Sequence, residues 1–590
     1  MSEHVARQNG IDATQSSGTS NRRSPTQQPV GSLDGAKHDV RPFYAGESQG
    51  LEFLFDLVCP ERPIKGQHYA TPAHTYRAKR TITRTPTGSQ PRLPPFQTQQ
   101  ELVRAYFLHV WPMLPVVDAR ELLTAFIDRE GFISPLLLWS LFFAAASFVD
   151  QDVLKAHHMP SRKALKEQFY QSAKDIFDLQ EEPDKTVLIQ SALLLGSAWY
   201  IDLEDRDGMW SWIGVAMNLS FTIGLHRRDN YDSIVPCPFP RSLRRLWKCL
   251  WWSIVYREVW LSFGMGRPMR LDSEDCDVSI PLPQEVYGHN LQTLPCEMQS
   301  YLPHDLERLS ELWINFLRLS LLLERLVKNY YRPRSVLPSP TQFDEEETAI
   351  LSCREHMLSI MVPNSPHLAV HAAHLRTYYS AVLIALYRPC LVKKLEKSRR
   401  FNNDFYDHVA ARARAAARET TGVLNDLLGR DAVATAPSML VTSMMTAMQI
   451  YVWEILHSTD LARNYAYHQL ELHMMVLSHL GKTYWTADLQ HNLFTEALKA
   501  LEGGSTDARE AVHSTNHQHT SQSDSEIDKD PSDITHVDSG MLHSTLEDFL
   551  LSFNPFMGLP MQPDELSGSV DLALSPEEPL VVDTMHHRLS

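Results

Sequence analysis

Cysteine is scarce in this sequence: 7 occur among 590 residues, and Cys59 is the only one before Cys237. Thiols so few and so widely spaced suit a reducing compartment and exclude a disulfide-stapled fold. They also exclude a metal site that needs several paired cysteines in the first 236 residues. We therefore expect no zinc site in this chain and no cofactor.

Long hydrophobic runs are absent as well. No apolar stretch approaches 18 residues, and the opening MSEHVARQNG lacks the apolar core of a signal peptide. Mean hydropathy is −0.27, although 43% of the residues are hydrophobic. This balance predicts a large globular part, and we expect no interaction with a membrane.

Basic residues are few in the last part of the chain. Residues 503–590 hold sixteen Asp and Glu against three Lys and Arg, and the whole chain has a net charge of −16. Most of the negative charge therefore lies in one segment rather than over the whole surface. Such segregation is typical of an acidic interaction segment.

Helical periodicity runs from Gln97 to Leu501. In the first such stretch Leu102, Tyr106 and Val110 fall on one helical face. No strand alternation or internal repeat competes with this pattern. We predict an all-α fold of packed antiparallel helices with disordered N- and C-terminal tails. The clearest predicted helices cover 136–149, 164–177, 186–200, 210–225, 306–330, 368–387, 404–428 and 438–457.

Composition divides the chain into four parts. Residues 1–41 are rich in Ser, Thr, Gln, Gly and Asn, which predicts a disordered tail. Residues 42–96 are predicted to be a partly ordered segment that includes a basic linker. The all-α domain is predicted over 97–501, and an acidic, mostly disordered tail over 502–590.

The stretch from Leu243 to Pro283 organises the predicted domain. It begins apolar on nearly every side and contains Trp251 and Trp252. This pattern predicts a helix that is buried on most of its circumference. Gly264 and Gly266 are predicted to end the helix, because glycine accepts the positive φ of a helix C-terminus.

An acidic loop follows this helix after Pro268, with Asp272, Glu274, Asp275 and Asp277. Carboxylates just beyond a helix C-terminus oppose the helix dipole and need another partner. We interpret the loop as a solvated connector whose acids pair with Arg267 or Arg270. A metal or ligand site is the alternative.

Several short motifs lie in and around this stretch. They read Arg245-Leu246-Trp247, Trp251-Trp252, Arg257-Glu258-Val259-Trp260, Gly266-Arg267-Pro268 and Asp272-Ser273-Glu274-Asp275-Cys276-Asp277-Val278. Together they resemble the central homology region of fungal-specific transcription regulators, most closely the branch of the cutinase and amidase regulators. One departure is Val259, which stands where the family pattern has a second arginine.

The resemblance implies a fungal nuclear protein, not an enzyme, that regulates transcription of a metabolic or biosynthetic gene set by RNA polymerase II. It implies the transcription machinery and coactivators as partners, a small-metabolite effector in some members, and homodimers. The motif residues to which it gives structural roles are Trp251, Trp252, Gly266, Arg267, Pro268, Asp275 and Asp277.

Relatives of this type normally carry an upstream binuclear zinc cluster built from six cysteines, which Cys59 alone cannot replace. Zinc is therefore expected only if a gene model has lost its first exons. Direct DNA binding by this chain is expected to be weak or indirect. Residues 1–95 contain no heptad run, so the family's coiled-coil route to a homodimer is not supported.

A basic cluster with Arg77, Lys79, Arg80 and Arg84 lies in the predicted linker. Exposed Lys and Arg in an extended segment can follow an acidic groove or a DNA backbone. We interpret the cluster as a nuclear-import or phosphate-contact segment. A solvated linker is the alternative.

The acidic tail contains LEDFLLSFNPFMGLP, in which aromatic and leucine side chains stand among carboxylates. That composition is typical of an activation segment that forms a helix in a coactivator groove. The candidate activation motif consists of Leu546, Asp548, Phe549, Leu550, Leu551 and Phe553. The alternative is a last helix that folds back on the domain.

Three histidines could be mistaken for ligands. His371 and His374 lie three apart on one predicted helical face and could bind zinc, but no third ligand follows at a useful spacing. We therefore favour packing for this pair. His109 stands alone on its predicted helix and receives no role.

Two other functions stay open. One is a helical scaffold or co-regulator without its own DNA binding. The other is an all-α, metal-dependent prenyl diphosphate enzyme, because the acids at 202–207 superficially resemble an aspartate-rich magnesium motif. Such an enzyme needs a second metal motif downstream, which the sequence does not show, so it is the least favoured function.

Overall fold

The computed structural model describes residues 40–45, 67–72, 92–129, 131–180, 182–197, 208–227, 240–288, 291–332, 334–358, 365–393 and 403–499. Helices dominate the described residues, which confirms the predicted all-α class. None of these helices is both long and apolar enough to cross a membrane.

The helices of the first half are α1 Phe96–Ala105, α2 Ala119–Leu123, α3 Pro135–Ala145, α4 Gln151–Ala156, α5 Arg162–Asp178, α6 Lys185–Leu195, α7 Met209–Thr222 and α8 Arg241–Met265. Single π-helical turns extend α1 over Tyr106–Val110 and α2 over Thr124–Asp128. Side chains cap the N-termini of several of these helices. Asp118 accepts from the Glu121 N–H at 3.1 Å, and Asp184 accepts from the Thr186 N–H at 2.7 Å.

The helices of the second half are α9 Pro283–Val286, α10 Cys296–Gln299, α11 Leu306–Tyr330, α12 Pro340–Leu358, α13 Pro366–Lys393, α14 Asn403–Gly429, α15 Leu440–His457, α16 Asp460–Gly481 and α17 over 485–499. Short 3-10 turns cover Ser273–Asp275, Leu291–Thr293 and Val433–Thr435. Three of these helices, α9, α10 and α12, were not predicted. The first two have four residues each, too few for a helical pattern. The buried positions of α12 are few, Phe343, Ile350 and Met357 among them, so its apolar stripe is weak.

A strand pair precedes the helices. Val40–Ala45 (β1) pairs antiparallel with Gln67–Pro72 (β2), and Phe43 stands opposite Tyr69. The sequence analysis predicted no strand, so this pair is a correction. Each strand has six residues and contains a proline, which leaves too little alternation to recognise.

The helix predicted over 368–387 was expected to end before Pro389, and that bound is wrong, because α13 continues through Pro389 to Lys393. A proline inside a helix has no N–H for the carbonyl four residues earlier. Here that carbonyl belongs to Ala385, and it accepts instead from the Tyr331 hydroxyl at 2.6 Å. A tertiary hydrogen bond therefore satisfies the group that the proline leaves free.

The helices pack in two groups that share one continuous hydrophobic core. In the first group α3 packs on α5 and α6, and α6 packs on α7. In the second group α13 packs on α14 and α15, and α15 packs on α16. Helix α8 contacts both α7 and α11, and α11 contacts α13, so α8 and α11 join the two groups.

Candidate functional site

Helix α8 is fixed by its tryptophans. Trp251 and Trp252 are 1% and 5% exposed. The Trp251 indole N–H donates to the Cys276 sulfur at 3.0 Å, and the Trp252 indole N–H donates to the Ser279 carbonyl at 2.9 Å. Both predicted motif tryptophans therefore connect the helix to the acidic loop that follows it. Trp260, further along, donates to Ser320 of α11 at 2.9 Å.

Gly266 lies where α8 ends. It adopts φ of +65°, and the N–H of Arg267 then bonds to the Ser262 carbonyl at 3.1 Å. Glycine is the residue that takes this left-handed conformation without steric cost. Gly264, by contrast, does not end the helix as expected. A Cβ there would lie 3.0 Å from the Thr442 methyl group, so its role is to let α15 approach closely.

The buried acid Glu258 pairs with Arg270 across this turn. The Arg270 guanidinium donates to the carboxylate through Nε at 3.1 Å and Nη2 at 2.5 Å, and its backbone N–H adds a third bond at 2.8 Å. The guanidinium carbon also lies 3.8 Å from the centre of the Trp210 ring. Charge, hydrogen bonds and aromatic contact together compensate the burial of Glu258.

The acidic loop finds partners that the sequence analysis did not name. Asp272 pairs with Lys328 at 2.6 Å, and Asp277 pairs with Arg227 at 3.2 Å. The hydrogen bond from Lys328 lowers the pKa of Asp272. Arg270, an expected partner of this loop, is instead engaged by Glu258, so that expectation is wrong. Asp275 is exposed.

A pocket lies on the other side of α8. Its cavity volume, counted as the space that the centre of a water molecule can reach, is about 50 Å³. Polar side chains on its wall include His109, Arg257, His374 and Ser438, whereas Met113 is one of the apolar residues that complete it. His109 lies on the π-helical turn after α1, a feature that is frequent at functional sites.

Arg257 is 4% exposed. Its Nη2 group donates to the Gly196 carbonyl at 2.7 Å and contacts the Met209 sulfur at 2.6 Å. Its Nε–H has no acceptor, and no carboxylate among the described residues forms an ion pair with it. Burial lowers the pKa of this arginine, and Tyr256 and Tyr378 partly oppose that shift. Burial raises the pKa of both phenols, so they are uncharged near pH 7 and supply no counter-charge. The pocket therefore contains a buried guanidinium without a described counter-charge.

His109 and His374 line the same pocket as Arg257, and His371 lies one turn before His374 on α13. Burial lowers the pKa of His109 to about 3 and that of His371 to about 4, and lowers the pKa of His374 well below its usual range. All three are therefore neutral near pH 7. Both ring nitrogens of His374 lack a hydrogen-bond partner, while its ring packs against Phe316 and Tyr378.

Metal binding finds no support in the described part of the chain, where no group of three or more His, Cys, Asp and Glu side chains could hold an ion. None of the described thiols, Cys249, Cys276, Cys296, Cys353 and Cys390, forms a disulfide. A binuclear zinc cluster needs six clustered thiolates, so these residues do not fit one.

Several predicted segments lie outside the described residues. They are the basic cluster Arg77, Lys79, Arg80 and Arg84, the candidate activation motif at 546–553 and the acids at 202–207. The sequence analysis missed the pocket altogether. One signal was available: Arg257 interrupts an otherwise apolar face of α8, and a charge in such a place needs a reason.

Residues 103–353 match the fungal specific transcription factor domain. This part of the chain is therefore similar to that domain. The resemblance stated from the motifs is thereby confirmed, and the family and its relatives are transcription regulators rather than enzymes. The match spans α8, its glycine turn and the acidic loop, as well as Arg257.

Individual relatives carry related names. The chain is 27% identical to "Cutinase transcription factor 1 beta" of Fusarium vanettenii over 69% of this chain and 50% of the relative. It is 26% identical to "Acetamidase regulatory protein" of Aspergillus oryzae over 60% of this chain and 42% of that protein. The chain therefore spans about half the length of these relatives. A solved structure, "Structure of the K. lactis CBF3 core", covers 72% of this chain and 89% of its own at 11% identity with a TM-score of 0.43, too weak to establish a shared fold.

Proposed function

We propose that this chain is a fungal nuclear regulator of transcription that controls a metabolic or biosynthetic gene set read by RNA polymerase II. The observation that carries the proposal is the fungal specific transcription factor domain over residues 103–353. Two relatives point to metabolic genes, since their names are a cutinase transcription factor and an acetamidase regulatory protein.

Within this proposal the parts have different tasks. The helical domain is the regulatory unit, with the tryptophans of α8 and the Glu258–Arg270 pair supporting its core. The tail 502–590, with its candidate activation motif, contacts coactivators, a role that rests on its acidic and aromatic composition. The basic cluster at 77–84 serves nuclear import or contacts phosphates.

DNA recognition by this chain is proposed to be weak or indirect, because its cysteines do not fit a zinc cluster. A co-regulator or scaffold that reaches DNA through another protein is the second candidate, and the same observation favours it. A mobility-shift experiment with the purified full chain separates the two. Sequence-selective, zinc-dependent binding would contradict indirect recognition.

A reporter experiment tests the regulatory proposal. The full chain and residues 503–590 are each fused to a heterologous DNA-binding domain, and both are expected to raise reporter output. The triple variant Phe549→Ala, Leu550→Ala, Phe553→Ala should remove the output of the tail fusion. Equal output from parent and variant would refute the activation motif.

A matched control lies in the same tail. The triple variant Val570→Ala, Leu572→Ala, Leu574→Ala removes three apolar side chains outside the candidate motif. It should leave the output of the tail fusion unchanged. A silent full-chain fusion that is expressed and nuclear would count against an activator and favour the scaffold.

A further inference from the structure

We propose that the pocket beside α8 binds a small organic acid, with the guanidinium of Arg257 holding its carboxylate. Binding in this pocket does not depend on the function proposed above. Only the statement that the ligand acts as an effector of transcription rests on that function. Four observations support the proposal: the buried guanidinium, the lack of a described counter-charge, the unfilled space beside it and the unpartnered histidine atoms on its wall.

The charge of Arg257 is the first step. A charge removed from water is strongly unfavourable unless an opposite charge and hydrogen bonds compensate it. Arg257 is almost fully buried and keeps an Nε–H without an acceptor, and the groups that it contacts are neutral: the Gly196 carbonyl, the Met209 thioether and the Tyr256 hydroxyl. A carboxylate suits the two-pronged geometry of a guanidinium and would supply both the charge and the acceptors.

The protein's own acids offer no substitute among the described residues. The acid next to Arg257 in the sequence, Glu258, is engaged by Arg270 through both of its oxygens. Acids elsewhere in the core are paired too, with Glu324 bonded to Lys328 and Glu454 to Arg414. The described acids of the core thus have partners, and none of these partners is Arg257.

The size and lining of the pocket define the ligand further. Space for about 50 Å³ of water-sized centres exceeds what a single water needs, roughly 10–15 Å³, and still admits only a small molecule. Among the described residues that line the pocket, Arg257 alone carries a permanent positive charge, since the histidines are neutral. The walls also carry Val110, Met113, Phe148 and Met439. These features fit a short monocarboxylate with an apolar body better than a phosphate dianion, which would need more positive charge.

Residues distant in the sequence form the pocket. His109 follows α1, Ala144 belongs to α3, Arg257 to α8, His374 to α13, and Ser438 precedes α15. A bound acid would therefore contact both helix groups at their junction. Such a ligand stabilises the folded domain by mass action, because the unfolded chain has no assembled pocket.

The test uses the purified full chain and a matched pair of probes, butyrate and its neutral isostere butyramide. Isothermal titration and thermal melting are recorded with each probe, with inorganic phosphate and succinate as further anions. Butyrate is expected to bind and to raise the melting temperature in a saturable way. Butyramide is expected to bind at least tenfold more weakly, because it lacks the charge that Arg257 needs.

Arg257→Met should weaken butyrate binding about tenfold to a hundredfold, the loss expected for one charge-assisted contact. Arg388→Met is the matched control, since Arg388 is equally buried but donates to Gln449 and does not line the pocket. It should leave the butyrate dissociation constant unchanged. If Arg257→Met fails to fold, Ala144→Val keeps the test open by filling the pocket, and it should abolish binding.

The following results would contradict binding of a carboxylate by Arg257. Equal effects of butyrate and butyramide, no saturable effect of either, or unchanged butyrate binding in Arg257→Met and Ala144→Val would overturn the proposal. A preference for phosphate over butyrate would replace the carboxylate by another anion and would also overturn it. Binding by a chain whose reporter fusion is silent would support the pocket while the regulatory proposal fails, so the two failures are distinguishable.

Discussion

Arg257 and Glu258 are neighbours on α8, both are buried and they carry opposite charges, yet their surroundings differ. Glu258 meets three N–H groups of Arg270 and has a complete set of partners. Arg257 meets a carbonyl and a sulfur atom, with unfilled space beside it. The two faces of α8 at this turn therefore differ. We call the face with the Glu258–Arg270 ion pair the closed side, and the face with Arg257 and the pocket the open side.

The difference shows how to separate structural from functional charges in a buried helix. A buried charge with a complete set of partners is explained by the fold, because breaking it would leave the other member uncompensated. A buried charge without a described partner is not explained by the fold and points to something else that compensates it. The variants below test whether the two sides of α8 differ in this way.

The largest effect is expected from the helix that supports both sides. Trp251→Ala should lower the free energy of unfolding by about 3–5 kcal/mol, because it leaves a large cavity and breaks the bond to Cys276. Denaturant unfolding measures the change. Phe132→Ala, at a side chain that is 82% exposed, is the control and should change little. Unchanged melting of both Trp251→Ala and Trp252→Ala would mean that α8 is not central.

On the closed side, Arg270→Met removes the ion pair with Glu258 and leaves the Glu258 carboxylate buried without a counter-charge. We expect a loss of about 3 kcal/mol in the free energy of unfolding. The double variant Glu258→Gln, Arg270→Gln should recover most of it, because no unpaired charge remains. Simple addition of the two single losses in the double variant would argue against a coupled pair.

Low pH should reduce the free energy of unfolding through the buried histidine His371. His371 has an ordinary pKa of 6.5, which burial lowers to about 4 in the folded protein. Below pH 6.5 the unfolded chain therefore binds a proton that the folded protein does not, and stability falls as pH falls toward 4. From pH 6.5 to 5 the loss is about 1.5 kcal/mol for this histidine.

The variant His371→Asn should reduce this pH dependence by that amount in equilibrium unfolding at pH 6.5 and pH 5. The control is His468→Asn, because the side chain of His468 is 77% exposed. It should leave the pH dependence as it is in the wild type. An identical slope for wild type and His371→Asn would show that His371 is not buried as a neutral group.

Gly266→Ala tests the turn that leads from α8 to Arg270. A φ of +65° costs an alanine about 1–2 kcal/mol, so the free energy of unfolding should fall by that amount. The matched control is Gly422→Ala inside α14, where a Cβ would meet nothing within 4 Å. There alanine should stabilise by about 0.5–1 kcal/mol. Equal effects at the two glycines would argue against a conformational role for Gly266.

The smallest change in the free energy of unfolding is expected from Arg257→Met, on the open side. Without ligand, Arg257→Met exchanges an uncompensated buried charge for an apolar side chain of similar length. The free energy of unfolding should therefore stay within about 1 kcal/mol of the wild type. A loss as large as that in Arg270→Met would reveal a protein counter-charge for Arg257 and would remove the contrast between the two sides.

Much of the fold could be predicted from periodicity. The helix at Leu306–Tyr330 has the predicted bounds, because its apolar positions recur regularly on one face. The prediction failed where distant residues decide the local structure. The helix predicted over 368–387 runs on through Pro389, because the Tyr331 hydroxyl satisfies the freed Ala385 carbonyl.

The candidate site was predictable only in part, for the same reason. The motif Gly266-Arg267-Pro268 indicated a helix end, because positive φ and proline are local properties. The partner of Glu258 was not predictable, since any of several nearby arginines could have reached it. The pocket was not predictable either, because residues separated by more than 100 positions form its wall.

The sequence by itself determined the all-α class, the burial of the α8 tryptophans and the concentration of acidic residues in 503–590. These features depend on the spacing of apolar residues and on composition, and both can be determined from the sequence alone. The tertiary structure alone decided which charge is compensated. In the sequence Arg257 and Glu258 are two adjacent charged residues of one helix. The turn after α8 brings Arg270 to Glu258, whereas the packing of α3 and α13 around Arg257 leaves unfilled space beside it.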